Sequence, residues 1–88
     1  MEIKFDTAKN LSNEEKHGVS LAEAVHIDWD SLLAKPDERQ SYGENRIIGY
    51  AYIGLRLHCV VYIDRLATRR IISLRKANSR EVKKYAEA

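Results

Sequence analysis

The sequence predicts a small α+β domain in which helices cover an antiparallel sheet. Residues 46–53, 57–64 and 68–76 are rich in β-branched and aromatic residues, and only three residues join each run to the next. Short links between such runs are typical of β-hairpins. Helix-capping residues stand both before and after this block, which places helices at both ends of the chain. A chain of 88 residues is expected to form one domain with a single core.

Two helices are expected before the sheet. The first would be capped by Asp6 or Thr7 and would stop at Gly18, because glycine readily adopts the left-handed conformation that ends a helix. The second would open at Ser20, which has Glu23 three residues later in the capping-box position.

The polar segments of the chain allow further strands only at the edges of the sheet. Residues 28–46 read as irregular, and Pro36 excludes a central strand there, although Ser31 to Lys35 could pair at an edge. Residues 42–45, Tyr-Gly-Glu-Asn, predict a turn. Glu2 to Phe5 alternates polar and apolar residues, which indicates a short edge strand or an extended lead-in.

A last helix is predicted after the third strong strand. Asn78 would cap it, with Glu81 at the reciprocal capping-box position. The complete expectation is two N-terminal helices, an antiparallel sheet of three to four strands and a C-terminal helix.

Alternation along the strands predicts two faces of the sheet. The small and aliphatic face would pack against the helices, and in the middle strand it consists of Leu57, Cys59, Val61 and Ile63. The second face would carry three tyrosines, Tyr50, Tyr52 and Tyr62. Arg70 and Lys76 would share that face, whereas Arg75 would lie on the other. Aromatic rings among cations suit RNA, but the tyrosines also fit ordinary cross-strand pairs.

Charge is distributed unevenly along the chain. From Arg65 onward there are eight Lys and Arg against two Glu, a net charge of +6, while the first 64 residues have a net charge of −4. This basic end would attract anions, of which phosphate is the commonest biological one. The alternative is that this charge run is a solvated surface.

Several classes of protein are not expected. No apolar run approaches the ~20 residues of a membrane span, and the N-terminal residues do not resemble a signal peptide, so we expect a cytoplasmic protein without membrane contact. The single cysteine, Cys59, is expected to be a buried thiol. His17, His26 and His58 lack the spacing of metal ligands, and we expect neither a metal nor a cofactor.

The order of motifs resembles the BrnT toxins of bacterial type II toxin–antitoxin systems. The two most specific blocks are Lys16-His17-Gly18-Val19-Ser20 and R-I-I-S-L-R-K-A over residues 70–77. Other matching motifs are spread over the whole chain: Phe5-Asp6, Asp37-Glu38-Arg39, Tyr42-Gly43-Glu44-Asn45-Arg46, Val60-Val61-Tyr62, and Arg80-Glu81 with Tyr85.

The resemblance implies a single BrnT-like domain over residues 1–88 with a RelE-like fold. It implies a metal-independent endoribonuclease in which the 2′-hydroxyl of the RNA attacks the adjacent phosphate. It also implies a BrnA-like ribbon-helix-helix antitoxin that inhibits the toxin and connects it to operator DNA. A non-catalytic binding module, such as a degenerate toxin acting as a corepressor, is the alternative.

The resemblance also suggests catalytic residues. Arg75 would bind the scissile phosphate, because a guanidinium presents a planar fork of donors and stays charged; alternatively it is a solvated charge at a strand end. Arg46 and Arg80 would hold flanking phosphates or share the transition-state charge. Tyr85 would be an acid or a stacking platform, or would only pack the helix. His17 completes the expected catalytic set.

Proton transfer and the wider RNA surface are the remaining expectations. His58 and Glu44 are alternatives to His17 as proton carriers, since histidine titrates near neutral pH. The cations expected to contact RNA outside the catalytic set are Arg39, Arg70, Lys76 and Lys83.

Overall fold

The computed structural model describes all 88 residues as a five-stranded sheet with a helix on each side. The elements are β1 (Glu2–Phe5), α1 (Thr7–His17), a 3-10 helix (Leu21–His26), β2 (Ile27–Pro36), β3 (Ile47–Ile53), β4 (Arg56–Arg65), β5 (Thr68–Lys76) and α2 (Ser79–Ala86). The strands lie in the order β1-β5-β4-β3-β2. Neither α1 nor α2 has the length and hydropathy of a membrane-spanning helix.

The α+β class, the three central strands and the first and last helices are confirmed. The Asp6 side chain accepts from the backbone N–H groups of the first turn of α1, and Gly18 ends that helix at φ +68°. Asn78 and Glu81 form the expected reciprocal capping box of α2. Ser20 also caps a helix as predicted, but the segment after it is a 3-10 helix of six residues.

The sheet has five strands and not the predicted three to four, because strands are present at both edges where the sequence allowed them, and one edge pairing is parallel instead of antiparallel. β1 pairs in parallel with β5 at one edge, and β2 pairs with β3 at the other. Sequence alternation missed the length of β2 because its register shifts between Asp28 and Leu33. In this irregular stretch the Ser31 hydroxyl accepts the backbone N–H of Tyr52 at 3.0 Å, so a side chain replaces one bond of the strand ladder.

The main core lies between the sheet and the segment formed by α1 and the 3-10 helix, on what we call the α1 side. It consists of Val19, Leu21, Ala24, Ile27, Ala51, Val60, Tyr62, Ile71 and Leu74. The opposite, α2 side has a smaller cluster of Ile48, Cys59 and Val61, with Tyr50 and Ile72 packed against it. Cys59 is a buried free thiol, as expected.

The predicted assignment of faces is therefore wrong for β4 and part of β5. Register places Ala51 opposite His58, so the helix-facing residues of β3 share a side with Tyr62, which alternation predicts on the polar face. A bulge in β5 then changes its alternation. Because Arg70 pairs with Ile63 and Arg75 with Cys59, both arginines lie on the α2 side, whereas Lys76 lies on the α1 side.

β1 covers only the first half of the β5 edge. Its pairing with β5 ends at Ile71, and the chain then turns into α1. Asn13 of α1 takes over further along: its side chain accepts the N–H of Leu74 at 3.1 Å and donates to the Leu74 carbonyl at 2.7 Å. A buried amide thus substitutes for the missing strand, and it fixes α1 along this edge.

Candidate active site

Arg75 lies on the α2 side of the sheet, where a carboxylate of α2 orients it. Its Nη1 and Nη2 atoms donate to Oε1 and Oε2 of Glu81 at 2.8 and 2.9 Å. Nη1 also donates to the Lys76 carbonyl at 3.3 Å. The Nε–H and the second Nη2–H have no acceptor within the protein. Since these two N–H groups form the second fork of the guanidinium, Arg75 is held in place by one fork and has the other free.

Glu81 connects this arginine to the sheet and to the helix cap. It accepts the Tyr50 hydroxyl at 2.9 Å and the backbone N–H of Asn78 at 2.9 Å. Hydrogen bonds from Arg75 lower the pKa of Glu81 from 4.5 to about 2, with further lowering by Asn78 and Tyr50. Burial and the Glu81 carboxylate raise the pKa of Tyr50 well above its usual value. At neutral pH the site therefore holds a carboxylate, a guanidinium and a protonated phenol.

A second arginine–carboxylate pair lies in the loop before β3. The fully buried side chain of Asp37 accepts both Nε and Nη2 of Arg39 at 2.7 Å, and the Tyr42 hydroxyl donates to it at 3.2 Å. Hydrogen bonding to Arg39 lowers the pKa of Asp37 to about 2. Arg46 stacks on the Tyr42 ring at 4.2 Å and donates to Glu44 at 2.8 Å. Asp37 thus anchors a loop that carries two of the predicted arginines.

One cleft with a volume of about 510 Å³ connects the two pairs. Its lining residues are Lys35, Pro36, Asp37, Glu38, Arg39, Ile48, Tyr50, Arg75 and Glu81. An adjoining groove of about 300 Å³ runs between β2 and α2 and is mainly apolar, with Leu33, Ala34, Ile48, Tyr50 and Tyr85 in its walls. A polar cleft beside an apolar groove offers contacts to both the phosphate and the base of a nucleotide.

The structure brings only some of the predicted site residues together. Arg75 and Arg39 line the cleft, and Arg46 lies beside the Asp37 loop. Tyr85 lines the adjoining groove, but its hydroxyl donates to the Ser31 carbonyl and its ring packs edge-on against Tyr52, so it also attaches α2 to β2. Arg80 is exposed in the first turn of α2.

Other predicted residues lie away from the cleft. His17 is at the C-terminal end of α1 and lines a different cavity, together with Lys9 and Lys16. Arg70 lines a cavity near the β4–β5 turn, roughly 16 Å along β5 from Arg75 at 3.3 Å per residue. Lys76 lies on the opposite side of the sheet and Lys83 is exposed on α2.

The alternative proton carriers have structural partners. His58 is buried, with Nδ1 2.9 Å from the Arg56 carbonyl oxygen. Glu44 is paired with Arg46. The structure contains no group of three or more His, Cys, Asp or Glu side chains that could hold a metal ion.

Sequence reasoning missed Glu81 and Tyr50 as members of the site. The sequence predicts Glu81 as a capping residue, but its second contact depends on α2 folding back over Arg75, six residues earlier. It predicts Tyr50 in a strand, yet the partner of its hydroxyl at 2.9 Å is 31 residues away. No local pattern reports contacts of this kind.

Residues 5–81 match the family model described as the ribonuclease toxin, BrnT, of type II toxin–antitoxin systems. The chain belongs to the BrnT family. Membership of this ribonuclease toxin family implies an antitoxin partner, and it confirms the family resemblance inferred from the sequence.

A solved BrnT structure has a similar fold. The crystal structure of the Brucella abortus ribonuclease toxin, BrnT, superimposes with a TM-score of 0.71 at 23% sequence identity, covering 90% of this chain and 99% of that chain. At this identity the likeness shows a shared BrnT fold. A search of curated proteins found no match.

Proposed function

We propose that this BrnT-family chain is a metal-independent endoribonuclease and that Arg75 binds the scissile phosphate. The observation that carries the proposal is the free fork of Arg75. A guanidinium whose other fork is tied to Glu81 at 2.8 and 2.9 Å keeps a fixed orientation in a cleft. Such an arginine is suited to bidentate binding of phosphate oxygens.

The proposed reaction is an internal transfer at phosphorus. The 2′-oxygen of the RNA forms a bond to phosphorus while the bond to the 5′-oxygen of the next nucleotide breaks, giving a 2′,3′-cyclic phosphate and a 5′-hydroxyl. Negative charge increases on the non-bridging oxygens in the transition state, where a preoriented guanidinium stabilises it. Alignment of the 2′-oxygen with the leaving oxygen supplies the rest of the acceleration.

Proton transfer is assigned to solvent in this proposal. Arg75 keeps the pKa of Glu81 near 2, which makes that carboxylate a weak base. Burial keeps Tyr50 protonated, and the two candidate histidines lie outside the cleft. The site therefore acts mainly by orientation and charge, without a residue whose pKa matches neutral pH.

The groove beside the cleft would take a nucleobase next to the cleaved bond. Tyr50 and Tyr85 supply aromatic surface there, and Lys35 and Lys84 supply charge at the same walls. Stacking on aromatic rings is tolerant of base identity. Arg39 and Arg46 would contact phosphates at the other end of the cleft.

The antitoxin is proposed to be a BrnA-like ribbon-helix-helix protein that covers the cleft and carries the toxin to operator DNA. The RelE-like relationship of the fold and a cytoplasmic location belong to the same proposal. An antitoxin that covers the cleft would prevent RNA from binding there and would also neutralise the cations of α2. Binding of the antitoxin would therefore be sufficient to explain inhibition.

The test is cleavage of a defined RNA by the purified protein in the presence of EDTA. We expect cleavage with 2′,3′-cyclic phosphate ends. Arg75→Ala should reduce kcat by roughly a hundredfold to a thousandfold, by analogy with the loss of one transition-state donor. Arg75→Lys should recover little, because an ammonium cannot bind Glu81 and phosphate through two forks.

Arg65→Ala is the matched control, since it removes an exposed arginine outside the cleft. Equal cleavage by Arg75→Ala and the control would overturn the assignment of Arg75. No cleavage by the wild-type protein, together with operator repression that depends on the antitoxin, would support the corepressor alternative instead.

A further inference from the structure

A small cavity at the open edge of β5 differs in charge from the cleft. It has a volume of about 180 Å³ and is lined by Lys9, Ser12, Asn13, Lys16, His17, Ile72 and Ser73. It lies where β1 no longer covers β5 and α1 passes along the edge. Neither lysine takes part in any of the five ion pairs of the protein.

The catalytic cleft has no surplus of positive charge. Its walls carry three cations, Lys35, Arg39 and Arg75, against three acids, and both arginines are already paired. Affinity for RNA depends mainly on neutralising phosphates. A ribonuclease with a neutral cleft therefore needs cations nearby to hold the strand. Compared with the catalytic cleft, its adjoining groove and the cavities beside Trp29 and beside Arg70, the cavity at the β5 edge is unique in having two lysines and no carboxylate.

The fold holds these cations in a defined place. Lys9, Ser12 and Lys16 follow the three- and four-residue spacing of a single face of α1. Asn13, on the same face, is tied to Leu74 of β5 through both of its amide atoms. α1 also carries Glu14, which accepts from Asn10 at 3.0 Å, and Glu15. Neither of these acidic residues lines the cavity.

The position of the cavity suits a continuous strand of RNA. Ser73, in its wall, is two residues from Arg75 on β5, a distance of roughly 7 Å along the strand. Because Cys59 and Val61 of β4 pair with Arg75 and Ser73, both β5 residues lie on the α2 side. A chain bound at Arg75 reaches the cavity by passing over the edge of the sheet.

We infer that Lys9 and Lys16, with the Ser12 hydroxyl, form a second phosphate-binding subsite for the RNA substrate, adjacent to the Arg75 cleft. This inference rests on the proposed ribonuclease function. The subsite binds a backbone phosphate one or more nucleotides away from the cleaved bond and takes no part in the chemistry. It gives the enzyme affinity for any RNA sequence, since phosphates carry no base information.

The experiment measures binding of a labelled 2′-O-methyl oligoribonucleotide, which lacks the attacking hydroxyl and is not cleaved, by fluorescence anisotropy at several salt concentrations. The variant is Lys9→Ala with Lys16→Ala. We expect the slope of log affinity against log salt to fall by about 0.7, since one lost phosphate contact on a single strand contributes about 0.7. Affinity at about 50 mM salt should fall roughly tenfold.

The control is Lys4→Ala with Arg65→Ala, which removes the same charge from exposed residues outside both sites. Charge reversal, Lys9→Glu with Lys16→Glu, should weaken binding further. Melting curves should be unchanged, because neither lysine has a partner in the fold. In steady-state cleavage the double alanine variant should raise KM and leave kcat unchanged, whereas Arg75→Ala lowers kcat.

Two results separate the failure of this inference from failure of the proposed function. If the wild-type protein cleaves RNA and both double alanine variants bind with the same salt slope, the subsite is wrong and the ribonuclease stands. If the Lys9 and Lys16 variant loses only antitoxin binding, the cavity is a protein contact and the subsite is equally wrong. If the wild-type protein neither binds nor cleaves RNA, both proposals fail.

Discussion

Replacing Glu81 by Gln tests the central ion pair of the site. The change keeps the size of the side chain but removes the charge that binds Arg75. The pKa of Glu81 falls from 4.5 to about 2 in the folded protein, and at about 1.36 kcal/mol per unit this corresponds to at most about 3.4 kcal/mol of stability at neutral pH.

Solvent reduces this figure. The Arg75 and Glu81 side chains are 30% and 16% exposed, and screening at partly exposed pairs lowers the gain to about 1.5 kcal/mol. In a domain of this size we expect the melting temperature of Glu81→Gln to fall by about 6–12 °C at pH 7. Thermal unfolding followed by circular dichroism measures this directly.

The pH dependence gives the sharper test. A group whose pKa is lowered by folding stabilises the protein above its unfolded pKa and loses that effect as pH falls through the folded pKa. The difference between wild type and Glu81→Gln should therefore be constant above pH 5, shrink below about 4.5 and vanish near 2. Glu87→Gln, which removes the same charge from the exposed end of α2, should change stability by less than about 0.5 kcal/mol. If the difference in stability between the wild type and Glu81→Gln is as large at pH 3 as at pH 7, the shape of the Glu81 side chain, and not its charge, stabilises the pair with Arg75.

Three further changes probe the fold around the site. Asn13→Ala should cost about 2–4 kcal/mol in urea unfolding, because it leaves the N–H and C=O of Leu74 buried without partners; a cost below 0.5 kcal/mol would show that water replaces the amide. Gly49→Ala should cost about 1–3 kcal/mol, since its Cβ would lie 2.6 Å from the Leu32 side chain; unchanged stability would mean that Leu32 moves freely. Asp37→Asn should lower stability at pH 7, with the loss disappearing as pH falls from about 4 towards 2, because a guanidinium lowers the pKa of that carboxyl to about 2; a loss independent of pH in that range would contradict the charge argument.

Local chemistry made much of the fold predictable. The caps of α1 and α2 were readable because Asp6, Gly18 and Asn78 act on backbone groups within a few residues of themselves. The three central strands were predictable because their residues are rich in β-branched and aromatic side chains and only three residues link each run to the next. The order of the motifs was sufficient to identify the family, and the match over residues 5–81 confirms it.

The face of each strand could not be predicted in the same way. Alternation defines two sets of residues in every strand, but pairing register decides which sets share a side. Alternation alone predicts Tyr62 on the polar face, but Tyr62 lies in the main core, because it pairs with Ile47 and with Ile71 beyond a bulge. A bulge of one residue reverses every assignment after it.

The sequence by itself determined the caps of α1 and α2, the three central strands, the family and the presence of a basic C-terminal segment, since each depends on neighbours in the chain. Only the tertiary structure decided which arginines are free to bind a ligand. Arg69, within the basic segment, donates to Asp64 and stacks on the rings of Trp29 and Tyr62. Arg75 donates to Glu81 through one of its two forks and has the other free. The charges along a chain are fixed by its composition. Whether a charged side chain is free to bind a ligand depends on which carboxylates and rings the fold brings within a few ångströms of it.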